Sequence, residues 1–247
     1  IGLIVGSTHF CLNKKPMGFF TDSLLSAFYL VGDLDQELIT IVLVSLNVSF
    51  FSTLMSGLFG IPLGFLISFN TFKGKRLLIT CLNPLLALPT VVIGLFVYVF
   101  ISRRGIFGPF DLLYTQNAII IGQIILILPV VITFTVSAIT QIDGRYRKTA
   151  MTLGANQFQT GILIFREARY GILAAVIAAF GRVISEVGIS MMLGGNARGF
   201  TRTITTAMAL EYDKGEFTLA IALGIVLIGL SFSINLLFHF FQGRGGK

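Results

Sequence analysis

Arg182 and Glu186 stand four residues apart inside the apolar run from Tyr170 to Leu193. A charged side chain at the centre of a membrane helix costs roughly 2.5–3.5 kcal/mol on insertion scales, so such residues mark a function or a partner. A spacing of four puts both on nearly one helical face, where they can pair. Three roles are open: a structural ion pair between helices, a pathway lining or gate shared with Ser185 and Gly188, or an arginine that attracts an oxyanion. Pairing with Glu186 neutralises the arginine and weakens the third. Ala174, Ala178, Gly181, Ser185 and Gly188 recur in steps of three and four. Such a small-residue face allows close packing within a subunit, across a dimer or along a pore.

A second polar cluster follows in the connection from Gly194 to Glu216, where Asn196, Arg198 and Arg202 alternate with hydroxyls at Thr201, Thr203, Thr205 and Thr206. These groups can meet an oxyanion or a docking protein; a solvated loop is the alternative. Gln123, Thr133, Thr135 and Ser137 can face a polar pathway or bond to their own helix. Enzymatic constellations are missing from the sequence: there is no HExxH, no CxxC and no Ser/His arrangement. There is also no GxxxxGK[ST] phosphate loop. ATP and its magnesium, if they drive this protein, are held by another chain.

The elements that carry these residues are set by composition. Of 247 residues, 55% are hydrophobic and 12% charged, with a mean hydropathy of +0.89. A soluble domain of this size cannot bury so much apolar side chain, so the chain is an integral membrane protein. Five apolar stretches are long enough to span as helices: 38–69, 77–101, 118–139, 170–193 and 217–240. Pro84, Pro89 and Pro129 predict kinks. Gly60 and Gly64 predict close packing of the first span. Residues 1–16 read as a leader. Met17 to Val31, with Phe20, Leu24, Phe28 and Val31 on one face, predicts an interfacial helix, so that residues 1–37 precede the membrane domain.

Loop charge sets the orientation. On one side lie Lys73, Lys75, Arg76, Arg145, Arg147, Lys148, Arg166, Arg169, Arg244 and Lys247, against two acids, Asp143 and Glu167. The other side holds seven basic and eight acidic residues. The positive-inside rule puts the first set in the cytoplasm, with the amino terminus outside and the 242–247 tail inside. The net charge of +7 is a topology signal rather than a nucleic-acid signal.

The longest cytoplasmic connection is 141–167, at 27 residues. It predicts two short helices, over 146–153 and 157–165, bent at Gly154. Small residues at Ala150, Gly154 and Ala155 permit a partner's close approach. Lys148-Thr149-Ala150, three residues, Gly154, and Ile164 ten residues later resemble the EAA loop of binding-protein-dependent ABC importer permeases. Lys148 stands where that family carries an acid, and Phe165-Arg166-Glu167 replaces the proline-containing tail.

Further residues resemble the tungstate and molybdate permeases in particular: the run Gly181 to Asn196, Ser102-Arg103-Arg104-Gly105, Leu112-Leu113-Tyr114-Thr115 and Thr201 to Ala207. The resemblance covers about residues 38–241. It implies the all-α, five-span fold of type I ABC importer permeases, like the methionine permease. It also implies a homodimer, two cytoplasmic ATPase subunits docked on Arg147, Lys148, Ala150, Leu153, Gly154 and Ala155, and an extracytoplasmic oxyanion-binding protein. The expected cargo is tungstate, with molybdate, sulfate or another small solute as alternatives. An intramembrane enzyme finds no support in the motifs. A plain channel or structural membrane subunit has no need of the basic elbow.

Overall fold

The computed structural model describes residues 36–243, with side chains to residue 236. The leader and the interfacial helix expected over 1–31 therefore lie outside the described residues. The described chain is all helical, in the order α1 (Gln36–Phe69), α2 (Lys75–Leu85), α3 (Thr90–Ile101), α4 (Gln116–Thr140), α5 (Gly144–Thr152), α6 (Gln157–Glu167), α7 (Arg169–Ile184), α8 (Gly188–Gly194), α9 (Ile204–Lys214) and α10 (Phe217–Gly243).

The long helices α1, α4 and α10 are each long and apolar enough to cross a membrane. The other two expected spans are broken. α2 and α3 meet at a bend of 99°, and α7 and α8 at one of 59°; five crossings result if each bent pair counts as one. The first break has a plain cause. Pro84 lies in the last turn of α2 and Pro89 precedes α3 with extended φ −63° and ψ 125°. Proline supplies no N–H and disfavours helix in the residue before it, so the two prolines expected to kink the span end it instead. Pro129 lies within an unbroken α4.

α1 and α4 form the most extensively packed pair. The buried residues of α1 include a run of small and polar ones, Ser45, Ser49, Ser52, Ser56, Gly57, Gly60 and Gly64, of which Ser52, Gly60 and Gly64 meet α4 and Ser45 accepts from Ile204 N of α9 at 2.7 Å. Between apolar helices in lipid, close backbone approach and interhelical hydrogen bonds replace the hydrophobic drive. Both occur here. Ser52 Oγ donates to Gln123 Oε1 at 2.8 Å, and a Cβ added at Gly60 or Gly64 would lie 2.9 Å or 2.8 Å from Val131 or Thr135. The packing expected of Gly60 and Gly64 is present.

The central apolar cluster joins Ile93, Val97 and Ile101 of α3, Leu126 and Val131 of α4, Ala179 and Val183 of α7, and Ile189 and Leu193 of α8. A second cluster brings Ile204 and Ala207 of α9 onto Leu38, Ile41 and Leu223. α9 arises where the sequence reading has only a loop. Its signals are a Thr203–Thr206 capping box and a left-handed Gly215 at φ 81°. Outward, Leu43, Phe50, Leu58, Phe96, Ile228 and Phe232 are exposed, as lipid-facing side chains are.

Candidate functional site

Three places carry the candidate residues: the elbow α5–α6, the broken span α7–α8 and the loop between α8 and α9.

The elbow is specified locally. Asp143 opens α5, its carboxylate accepting from Arg145 N at 2.9 Å. α5 ends in a double closure: Ala155 N donates to Ala150 O at 3.0 Å and Gly154 N to Met151 O at 3.1 Å. That pattern requires a left-handed residue, and Gly154 has φ +86°. α6 begins at once, with Asn156 and Gln159 exchanging side-chain and backbone hydrogen bonds in a capping box.

Aromatic contacts seat the elbow on the end of α1. The Phe65 ring stacks on Phe69 and meets Phe165 edge-on at 5.8 Å. The Arg147 guanidinium lies 4.8 Å over the Phe69 ring. Ala150, Thr160, Gly161 and Ile164 are buried beneath. The expectation that Ala150 is open to a partner is thereby corrected: at 7% exposure it packs within its own chain. The exposed tip is apolar instead, with Leu153 at 82% and Phe158 at 77%, flanked by Met151 and Tyr146. Lys148, Gly154 and the edge of Ala155 border it. Phe158 and Met151 were not singled out in the sequence. Their signal was apolar residues at the loop's bend, where a solvated connection carries polar ones.

At the broken span the expected Arg182–Glu186 pair does not form, since none of the ion pairs joins the two. The spacing of four counts only along a continuous helix, and α7 stops at Ile184. Glu186 is 8% exposed. Its Oε1 accepts from Ile189 N at 3.2 Å and its backbone oxygen accepts from Thr205 Oγ1 at 2.8 Å. It caps the start of α8 and joins it to α9. Ser185 Oγ is turned back onto Gly181 O and Arg182 O at 3.0 and 3.1 Å. Gly188 packs closely, since a Cβ there would meet Thr90 Oγ1 at 3.0 Å. Arg182 is left with a buried Nε and no hydrogen-bond partner for it.

In the loop between α8 and α9, Arg198 and Arg202 both engage Glu37 at the start of α1, Arg202 Nη1 lying 3.3 Å from Glu37 Oε1. These arginines, expected to meet an anion or a docking protein, are thus partly neutralised by their own chain. The four threonine hydroxyls are buried rather than presented. Thr201 Oγ1 donates to Gly194 O at 2.6 Å, Thr203 and Thr206 build the cap of α9, and Thr205 reaches Glu186. Asn196 takes φ +52° and donates from Nδ2 to Thr206 O at 3.3 Å. Farther along the same end, Arg103 pairs with Asp111 at 3.7 Å beside Tyr98 and Tyr114.

Comparison with known proteins adds identity to this geometry. The family model described as "Binding-protein-dependent transport system inner membrane component" matches residues 60–244. A "Probable anion ABC transporter permease protein" of Haloferax volcanii is 38% identical over 229 residues, covering 89% of this chain and 99% of that one. A "Tungstate uptake system permease protein TupB" of Peptoclostridium acidaminophilum is 37% identical over 226 residues, 92% of this chain and 99% of that one. The Escherichia coli "Molybdenum transport system permease protein ModB" is 31% identical over 199 residues, 77% of this chain and 87% of that one.

Among solved structures, inward-facing MetNI methionine ABC transporter superposes with a TM-score of 0.71 at 16% identity, covering 87% of this chain and 99% of that one. A bacterial alginate ABC transporter, in complex with its pentasaccharide-bound periplasmic protein, gives 0.70 at 17%, covering 94% and 90%.

Proposed function

The chain belongs to the family of inner membrane components of binding-protein-dependent transport systems, and on that premise we propose that it carries tungstate inward across the cell membrane. It is the transmembrane permease subunit of an ABC importer. In this reading two copies form the pathway, two ATPase subunits grip the elbows, and an extracytoplasmic binding protein delivers the oxyanion at the opposite end. ATP and magnesium act on the ATPase; this chain converts their cycle into movement of the helices. In this reading the elbow end faces the cytoplasm, an orientation that the loop charges support.

One observation carries the coupling role: an elbow that is rigid at its root and apolar at its tip. Leu153 and Phe158 stand 82% and 77% exposed on a bend fixed by two caps and seated on Phe65 and Phe69. Exposed apolar side chains on a polar, basic surface mark a protein contact. Tungstate as cargo is supported by the identity to the named tungstate permease over most of both chains. Molybdate matches tungstate in charge and nearly in size, and sulfate carries the same charge in a smaller tetrahedron, so in this reading the binding protein does most of the sorting.

The test is reconstitution. The permease, its ATPase and the binding protein are placed in liposomes, and uptake is followed with tungstate, molybdate and sulfate in competition. Tungstate uptake that needs all three components supports the reading. Uptake of an uncharged or cationic solute in place of any oxyanion overturns it. Leu153→Asp, which puts a charge on the tip, should lower co-purification with the ATPase at least tenfold while leaving the permease in the membrane.

A further inference from the structure

We propose that Arg182 is the residue that receives the anion within the membrane, one guanidinium from each of two copies. The inference rests on the oxyanion reading above and adds the site of contact to it.

Arg182 lies thirteen residues beyond Arg169 at the start of α7, about 20 Å along the helix axis at 1.5 Å per residue. That depth falls within a hydrocarbon layer of about 30 Å. A guanidinium there stays charged and needs either a counter-charge or water. Inside the subunit it has neither an ion pair nor a side-chain hydrogen bond among the described residues. Glu186, the nearest acid in sequence, is turned away to cap α8. The ion-pair role that the sequence leaves open is removed by the break in the span, and the objection to anion contact goes with it.

The surroundings fit a polar passage better than lipid. The face of α7 beside Arg182 carries Ala174, Ala178 and Ser185, all exposed, and an added Cβ at Gly181 would meet nothing within 4 Å. The opposite face, with Ile172, Ala175, Ala179 and Val183, is the one buried in the subunit. Lipid-facing helices of this chain present Leu, Ile and Phe; this face presents small residues and a cation. In a two-fold dimer that packs through this face, the second Arg182 stands across the same axis. Two guanidiniums match the two negative charges of a tetrahedral oxyanion and offer it N–H donors.

The experiment uses the complete reconstituted complex, in a background where Cys11 and Cys81 are replaced by serine. Arg182→Gln should lower tungstate uptake at least tenfold, and Arg182→Lys should keep a third or more of it. Arg182→Cys should be equally impaired. Treatment of that assembled variant with a methanethiosulfonate carrying an ammonium group should restore uptake at least fivefold, and the sulfonate-bearing reagent should not. Restoration by added positive charge in one folded protein separates anion contact from a structural role. Wild-type uptake by Arg182→Gln, no reaction of the Arg182→Cys thiol with either reagent, or equal rescue by a neutral reagent each overturns the proposal. If the unmodified complex moves no oxyanion at all, the transport reading itself fails, and the arginine assignment falls with it.

Discussion

At the scale of single residues, the glycine of the elbow shows what the backbone demands. Gly154 holds φ +86°, and a Cβ there would meet nothing within 4 Å, so its need for glycine is conformational and not steric. A β-branched residue resists the left-handed region by roughly 1–2 kcal/mol, whereas asparagine visits it. Gly154→Val should therefore splay α5 from α6 and lower co-purification with the ATPase and tungstate-stimulated ATP hydrolysis several-fold. Gly154→Asn should stay within twofold of wild type. Membrane insertion should be normal in both. Equal docking by the valine variant, shown to be folded, removes this bend from the coupling role. Arg147 acts differently from its neighbour Lys148: it lies over the Phe69 ring and holds the elbow in place, while Lys148 remains exposed.

At the scale of elements, the α1–α4 seam yields a comparison within one helix. Gly57→Ala and Gly64→Ala are the same chemical change. At Gly57 the new methyl meets only Ile61 Cδ1, at an ordinary 3.8 Å. At Gly64 it meets Thr135 Cβ at 2.8 Å and the Ile132 carbonyl at 3.0 Å, and a backbone oxygen in a packed helix does not yield. Gly64→Ala should cost about 1–3 kcal/mol, the usual range for overpacking, and Gly57→Ala less than about 0.5 kcal/mol, which thermal unfolding in detergent can rank. The seam was readable in advance because Gly60 and Gly64 repeat at one helical spacing. The ends of α1, α4 and α10 were readable because an apolar run of bilayer length stops at polar residues. The breaks were not. Hydropathy is indifferent to a bend, so 77–101 and 170–193 read as continuous spans although Pro84 and Pro89 interrupt the first. At Ser185 no proline gives warning; the turn is held by the Glu186 carboxylate on Ile189 N, a contact across the break that no spacing rule describes. The threonines between α8 and α9 read from their hydroxyl density as groups for an oxyanion or a docking protein, and their capping-box spacing was the better guide.

At the scale of the whole molecule, α1 links the two ends of the machine. Its 34 residues extend about 51 Å at 1.5 Å per residue. Glu37 at its start holds Arg198 and Arg202, while Phe65 and Phe69 at its end seat the elbow. The two ends should lie on opposite sides of the membrane. In a cysteine-free background, Lys73→Cys should react with an impermeant maleimide only from the cytoplasm and Asp111→Cys only from outside; the reverse pattern overturns the assigned orientation. Between the ends, the small-residue seam with α4 holds α1 as one rigid body, so it can transmit a displacement without transmitting local unfolding. That distinction is testable at Glu37. Arg202 has only 13% of its side chain exposed and is held on one side by the Glu37 carboxylate. A charged hydrogen bond of this kind contributes about 1.5–3 kcal/mol. Glu37→Gln weakens it without changing the size of the side chain. Amide exchange over 197–203 should then quicken by at least tenfold, since about 1.4 kcal/mol corresponds to that factor. Exchange over 146–165 should stay unchanged, because the buried stripe from Ser45 to Gly64 still clamps the helix between them. Faster exchange at the elbow as well would mean that α1 frays along its length, and a fraying helix cannot carry the motion that the proposed coupling needs from the elbow to the loop between α8 and α9.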